Sequence, residues 1–198
     1  MAQAPPHSTT GNPRMYRKEL KVLDCTIRDG GLINNYQFSK DFVKAVYRAT
    51  CDAAVDIVEL GKKLEVSDEY TREKYGPWNF CDDDDLKEVI DSCESDYRPL
   101  VAVMYDVGRV DVSKLQPRDQ GPVDMVRTAC YVHQIDAGLD LVKRCKDLGY
   151  ETTINVMAAS AAIETELMEG LEEINQTDEL DYLYLVDSFG AFYSEQVA

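Results

Sequence analysis

Six short apolar or β-branched runs alternate with amphipathic helical stretches along most of this 198-residue chain, and that alternation limits its fold more than any other feature. The strand-like runs are Lys21–Thr26, Val55–Leu60, Leu100–Tyr105, Val123–Thr128, Thr152–Met157 and Tyr182–Val186. Between them, helical faces are marked by apolar residues three or four apart. Ser39 can cap a helix carrying Phe42, Val43, Val46 and Ala49. Leu86, Val89, Ile90 and Cys93 form a second face, Ile135, Leu139, Val142 and Cys145 a third, and Ile163, Leu167, Leu171 and Ile174 a fourth. Gly61 closes the second strand and Gly149 is placed to end the third helical face. Strands recurring roughly every 30 residues with helices between them imply right-handed crossovers and a parallel sheet.

Two parallel layouts fit this pattern: an open doubly wound sheet, or a (β/α)8 TIM barrel of which only about six βα units are present. A nucleotide-binding doubly wound sheet should carry a glycine-rich loop after an early strand, as GxGxxG or GxxxxGK[ST], and neither occurs. The reading is therefore α/β, an incomplete TIM barrel over residues 17–198, preceded by a disordered tail at 1–16 that is rich in Pro, Ser, Thr and Gly.

The run Asp82-Asp83-Asp84-Asp85 reads as a helix start, because carboxylates in a first turn face the positive end of the helix dipole. A calcium loop would need alternating ligands and a central glycine. The six cysteines contain no CxxC pair and read as reduced, mostly buried thiols, and two histidines are too few for a typical zinc site. A formal net charge of −16 disfavours nucleic acid and anionic membrane surfaces as partners. No apolar run reaches the ~18 residues of a membrane span. The N-terminus lacks the basic-then-apolar pattern of a signal peptide, and the expected location is the cytoplasm.

In both parallel layouts function gathers at the carboxyl ends of the strands. The polar residues expected there are Arg28 and Asp29 after the first strand, Glu59, Asp106, Arg127, Asn155 and Asp187. Asp29 could give an oxygen ligand to Mg²⁺ or Mn²⁺, Arg28 could stabilise an enolate, and Glu59 could orient the arginine or a metal-bound water. An ion pair that merely closes the rim of the sheet is the alternative reading. Arg127 alone reads as a rim salt bridge, His133 as a capping or packed histidine, Asp187 as a turn or pocket carboxylate, and Tyr105 and Tyr131 as packing residues.

The stretch LDCTIRDGG (23–31) resembles the first-strand signature of the metal-dependent aldolase and lyase superfamily that includes hydroxymethylglutaryl-CoA lyase and 4-hydroxy-2-oxovalerate aldolase. VDIVELGKK (55–63) is similar to its second strand. YGPWNFCDDDDL (75–86), residues 123–158 and YLVDSFGAFYSEQV (184–197) resemble the aldolase catalytic-domain branch. The resemblance implies a TIM barrel with its site at the C-terminal face. It implies a lyase that cleaves or forms a carbon–carbon bond beside a 2-oxo acid or acyl thioester, and a condensing acyltransferase of the same superfamily shares that site. Carried over, Arg28 and Glu59 are catalytic, Asp29 binds a divalent metal (Mn²⁺ or Mg²⁺), and Asn155, Asp187 and Arg127 line the substrate pocket. The two glycines would clear space for the cation and the enolate.

The family's His-x-His on a seventh strand is absent from this sequence. Three expectations follow: a fragment of a longer enzyme, missing strands supplied by another chain, or a truncated, non-catalytic barrel acting as an interaction module. An unpaired sheet edge also leads us to expect a homo-oligomer.

Overall fold

The computed structural model describes residues 19–197, so the tail at 1–16 lies outside the described residues. Six parallel strands, β1 (Leu23–Asp24), β2 (Ile57–Lys62), β3 (Leu100–Asp106), β4 (Met125–Tyr131), β5 (Glu151–Met157) and β6 (Tyr182–Leu185), pair strictly in chain order. A doubly wound sheet reverses its strand order at a switch point. Here no reversal occurs, and the sheet curls into a half-barrel wall with helices outside it.

The helices are α1 (Thr26–Asn34), α2 (Lys40–Asp52), α3 (Asp83–Asp91), α4 (Ile135–Asp147), α5 (Glu164–Ile174) and α6 (Ser194–Val197). Ser39 caps α2 by accepting from the Phe42 amide at 3.2 Å. Asp83, Asp84 and Asp85 occupy the first turn of α3, as the dipole argument requires. No α-helix joins β3 to β4 among the described residues. Two short 3-10 turns stand there instead, Val112–Lys114 and Arg118–Gln120. Gly108, Pro117, Gly121 and Pro122 leave too short a run for a longer helix.

The helix-facing side of the sheet holds the main core. Val58, Leu60, Val101, Val103 and Val126 pack against Val43, Tyr47 and Cys51 of α2, Leu86 and Val89 of α3, and Leu141 and Cys145 of α4. Fully burying each such aliphatic side chain contributes roughly 1.5–3 kcal/mol. A second cluster joins Cys130, Ile154 and Val156 to Ile135 and Val142 of α4 and to Ile174 of α5. On the concave side, Ile57, Ala102 and Met125 form an apolar floor with Leu23, Leu100 and Tyr182. Above that floor the concave side chains turn polar. All six cysteines are free, and only Cys25 is incompletely buried. No described helix is long and apolar enough to cross a membrane.

Two local expectations change. The first strand is two residues long instead of reaching Thr26, because the Asp24 carboxylate accepts from both the amide and the hydroxyl of Thr26, each at 3.0 Å, and turns the chain into α1. The second strand runs through Gly61 to Lys62. Gly61 has φ +146°, the pairing register with β3 shifts between Glu59 and Lys62, and a Cβ at Gly61 would lie 2.1 Å from the Trp78 carbonyl oxygen.

Candidate active site

The inward face of the half-barrel is set by strand register. Glu59 lies beside Ala102, Ala102 beside Met125, Arg127 beside Met104 and Thr153, and Asn155 beside Ala129 and Tyr184. The Arg127 side chain crosses the intervening strand β3 to reach Glu59. Arg28, in the first turn of α1, reaches back to the same carboxylate.

One oxygen collects all of these contacts. Glu59 Oε2 accepts from Arg28 Nε at 2.7 Å, from Arg127 Nη1 at 2.5 Å and from Cys25 Sγ at 3.3 Å. The Cys25 sulfur also accepts from Arg127 Nη1 at 3.6 Å. Glu59 is completely buried and Arg127 is only 4% exposed. The Arg127 guanidinium stacks on the Tyr184 ring, 4.7 Å from its centroid. Glu59 Oε1 and Arg127 Nε are buried without a protein partner. Arg127 is thus an interior cation bound to the site carboxylate, and the rim salt bridge read from its sequence position is corrected.

Charge dictates the protonation states. Burial works against the Arg28 guanidinium's positive charge, but Glu59 outweighs it and raises the arginine's pKa. Burial, then the Glu59 charge, push the Cys25 thiol up to about 12, so it is neutral near pH 7. At the ends of β2 and β3, Lys62 Nζ binds Asp106 at 3.0 and 3.2 Å, and Arg109 Nη1 approaches the same carboxylate at 3.4 Å. Four cations (Arg28, Arg127, Lys62, Arg109) therefore meet three carboxylates (Glu59, Asp29, Asp106) in these ion pairs. In a chain of net charge −16 that is a local excess of positive charge, suited to a small anion.

The remaining site candidates fall in different places. Asp29 is more than half exposed and its carboxylate pairs with Arg28. Asn155 is buried on the inward face, its Oδ1 accepting from Thr153 Oγ1 at 3.1 Å. Asp187 stands apart from the arginine cluster. It accepts from Ser160 Oγ at 2.6 Å and from the Phe192 and Ala191 amides at 2.9 and 3.0 Å, and so organises the loop after β6. His133 stacks flat on Tyr131 at 5.8 Å. Gly30 and Gly31 lie inside α1, where Gly31 accommodates the Tyr36 ring and Gly30 faces Phe38; the expectation that they clear space for a ligand is corrected. Sequence reasoning left Cys25, Tyr36, Lys62, Arg109 and Tyr184 unassigned. Of these, Cys25, Lys62 and Tyr184 stood within the stretches LDCTIRDGG, VDIVELGKK and YLVDSFGAFYSEQV.

Asp29 is one oxygen donor, whereas a divalent cation of the Mg²⁺ or Mn²⁺ type takes about six ligands, usually with more than one from protein. Among the described residues no three His, Cys, Asp or Glu side chains converge as a cation site. The described donor set therefore does not fit a complete metal centre.

Six parallel strands in chain order, curled with helices outside, define an incomplete TIM barrel. No family model matches the chain. It is 24% identical over 190 residues to a 4-hydroxy-2-oxovalerate aldolase from Geobacillus genomosp. 3, covering 92% of this chain and 52% of that protein. It is 24% identical over 175 residues to 4-hydroxy-2-oxovalerate aldolase 4 from Rhodococcus opacus, covering 88% and 49%. The crystal structure of the N-terminal domain of a candidate aldolase from Bacteroides vulgatus superposes with a TM-score of 0.66 at 28% identity, over 90% of this chain and 57% of that one. These similarities support an aldolase-like domain. The chain spans about half the length of the curated relatives it matches.

Proposed function

We propose that this chain carries the enolate-stabilising part of a carbon–carbon lyase acting on a small 2-oxo acid or acyl thioester. The observation that supports it best is the fixing of Arg28 by the wholly buried Glu59, which is itself held by Arg127. When a carbon–carbon bond beside a keto group breaks, negative charge collects on the former keto oxygen. A guanidinium already held in place stabilises that charge with little reorganisation, and such a preorganised donor is worth ~10²–10³ in rate. Glu59 acts here by holding Arg28. Arg127 and Asn155 would shape the pocket behind it, and Asp187 would hold the loop at its rim. Asp29 would offer one ligand to a divalent metal, and no step is derived through that metal.

Pyruvate provides the test, because its C3 protons exchange with deuterium whenever its enolate forms. The chain is expected to accelerate this exchange, followed by proton NMR, and Arg28→Ala to remove the acceleration. Exchange at the buffer rate in the unsubstituted chain would overturn the reading.

The open edge of the sheet favours a second reading beside catalysis, self-association. Among the described residues β6 pairs only with β5, and Leu183 and Leu185 on it are half exposed beside an apolar groove lined by Met168, Leu171 and Leu180. A homo-oligomer would cover that edge. A cytoplasmic setting is consistent with the enzyme class.

A further inference from the structure

A cavity of about 340 Å³ opens at the mouth of the half-barrel, at the carboxyl ends of β4 and β5. Strand register ties it to the candidate site. Cys130 and Val156 pack on the helix side with α4, so the residues alternating with them face the concave side. There the β4–β5 pairs rise from Arg127 beside Thr153, through Ala129 beside Asn155, to Tyr131 beside Met157. Tyr131 and Met157 both line the cavity. It therefore stands on the same wall as Arg127 and Asn155, four residues or about 13 Å further along β4 than Arg127.

The lining is apolar and unfilled. Tyr131 is 46% exposed, Ile163 61% and Phe189 70%. Large apolar side chains gathered around one concavity mark a binding surface, whereas ones scattered singly do not. The His133 ring lies parallel to that of Tyr131, their centroids 5.8 Å apart, and extends it into a flat platform. In a chain with 37 Asp and Glu, Glu166 is the only carboxylate in this lining. An apolar cavity of about 150 Å³ holds one benzene ring, so the space here admits an aryl group.

Phe189 is carried on a loop that is fixed against the opposite wall. The Ala158 amide donates to Ser188 Oγ at 2.9 Å, the Ser160 hydroxyl to Asp187 at 2.6 Å and the Ala159 amide to the Val186 carbonyl at 3.1 Å. Ala158 itself is left-handed at φ +52°, a conformation that a non-glycine residue holds only when its surroundings impose it. The loops after β5 and β6 are thus tied together around the cavity.

We propose that this cavity takes an aryl or similarly flat apolar arm of the substrate, carried on the carbon chain beyond the keto group. Resting on the enolate reading above, the assignment narrows the substrate to 2-oxo acids with such an arm two or three carbons past the keto carbon. The oxo-acid end lies towards the arginine cluster, and the arm runs along the wall past Asn155 to the mouth. Side chains reaching inward at both ends shorten the distance the molecule has to span. Tyr131, His133 and Phe189 bind the arm and take no part in breaking the carbon–carbon bond.

Two acids with the same head, 2-oxobutanoate and 2-oxo-4-phenylbutanoate, are the probes, each titrated by calorimetry into the unsubstituted chain, Tyr131→Ala and Phe189→Ala. The phenyl acid is expected to bind at least about tenfold more tightly, the gain from moving one ring out of water. Each substitution is expected to cut that ratio to about threefold or less, because the ring then loses one of its walls. Both side chains are exposed, so the urea midpoints should stay where they are. Equal affinities for the two acids in the unsubstituted chain would overturn the assignment, and so would a ratio that persists in both variants. Absence of binding by both acids would overturn it as well. The deuterium exchange of pyruvate separates this failure from that of the enolate reading. Exchange that continues beside equal affinities leaves that reading standing, whereas exchange at the buffer rate removes both.

Discussion

Arg28 and Glu59, 31 residues apart in sequence, are joined from Nε to Oε2 at 2.7 Å, and the carboxylate has no exposure to solvent. Arg127 binds the same oxygen from two strands away. One buried carboxylate thus holds two guanidinium groups, with Asp29 pairing Arg28 from the exposed side, and the arrangement is sensitive to its loss. Glu59→Gln is expected to lower the unfolding free energy by about 3–5 kcal/mol, the usual consequence of removing one partner from a buried ion pair. Urea denaturation reads this directly. A loss below about 1 kcal/mol would mean that water reaches the arginines and compensates them.

Cys25 reports on the same carboxylate. Burial and the Glu59 charge both hold its thiol protonated, while Arg127 and Arg28 pull the other way. Iodoacetamide reacts with the thiolate, so Cys25 should label slowly at pH 7 and faster as pH rises towards about 12. In Glu59→Gln one raising influence is gone and the arginines remain, so the labelling profile should move to lower pH. Mass spectrometry of the Cys25 peptide across a pH series checks the direction of that move.

Gly31 and Tyr36 should be energetically coupled. Gly31→Ala forces a methyl group into the ring of Tyr36, a clash expected to cost about 1–3 kcal/mol. In a Tyr36→Ala background most of that cost should disappear, giving a coupling of at least about 1 kcal/mol in a double-mutant cycle. Additive losses would show that the helix backbone at Gly31, and not the ring, forbids the methyl group.

Asp187 provides an acid-sensitive contact. The Phe192 amide, the Ser160 hydroxyl and the Ala191 amide lower its carboxyl pKa to about 2. Because the folded pKa is depressed, its support for the loop is complete above the ordinary value of about 3.9 and is lost as pH falls through about 2. Protection of the Ala191 and Phe192 amides from hydrogen exchange should fall over that window. Asp187→Asn should show weak protection at every pH.

Self-association through the open edge should appear as a concentration-dependent mass in light scattering. Placing a lysine at Leu183 on β6 is expected to shift the equilibrium towards monomer. A monodisperse monomer at every concentration would remove the oligomer proposal.

Much of the fold was legible in the chain's periodicity. Each of the six strands starts within two residues of its expected start; the larger differences are at the ends, where the strand expected at Val123–Thr128 extends to Tyr131 and the one expected at Lys21–Thr26 shortens to two residues. The second miss has a specific cause. LDCTIRDGG is apolar and β-branched enough to read as a strand running into a turn, and the switch depends on the Asp24 carboxylate capturing Thr26. The glycines following it looked like space for a ligand because their neighbour in space, Tyr36, is read from sequence only as one more aromatic residue.

Local pattern alone determined the α/β class, the parallel sheet and the placing of Arg28 just after the first strand, because periodicity and strand direction are properties of neighbouring residues, whereas Glu59 and Arg127, expected at strand ends, lie inside β2 and β4. Tertiary structure decided which of those charges meet. Arg127 reads as a rim residue until strand register sets it beside Met104 of β3 and within reach of Glu59, 68 residues earlier. Asp187 reads equally as a turn or a pocket carboxylate until its own loop claims both of its oxygens. Contacts made across register and across loops depend on distance in space, and a linear sequence does not contain that distance.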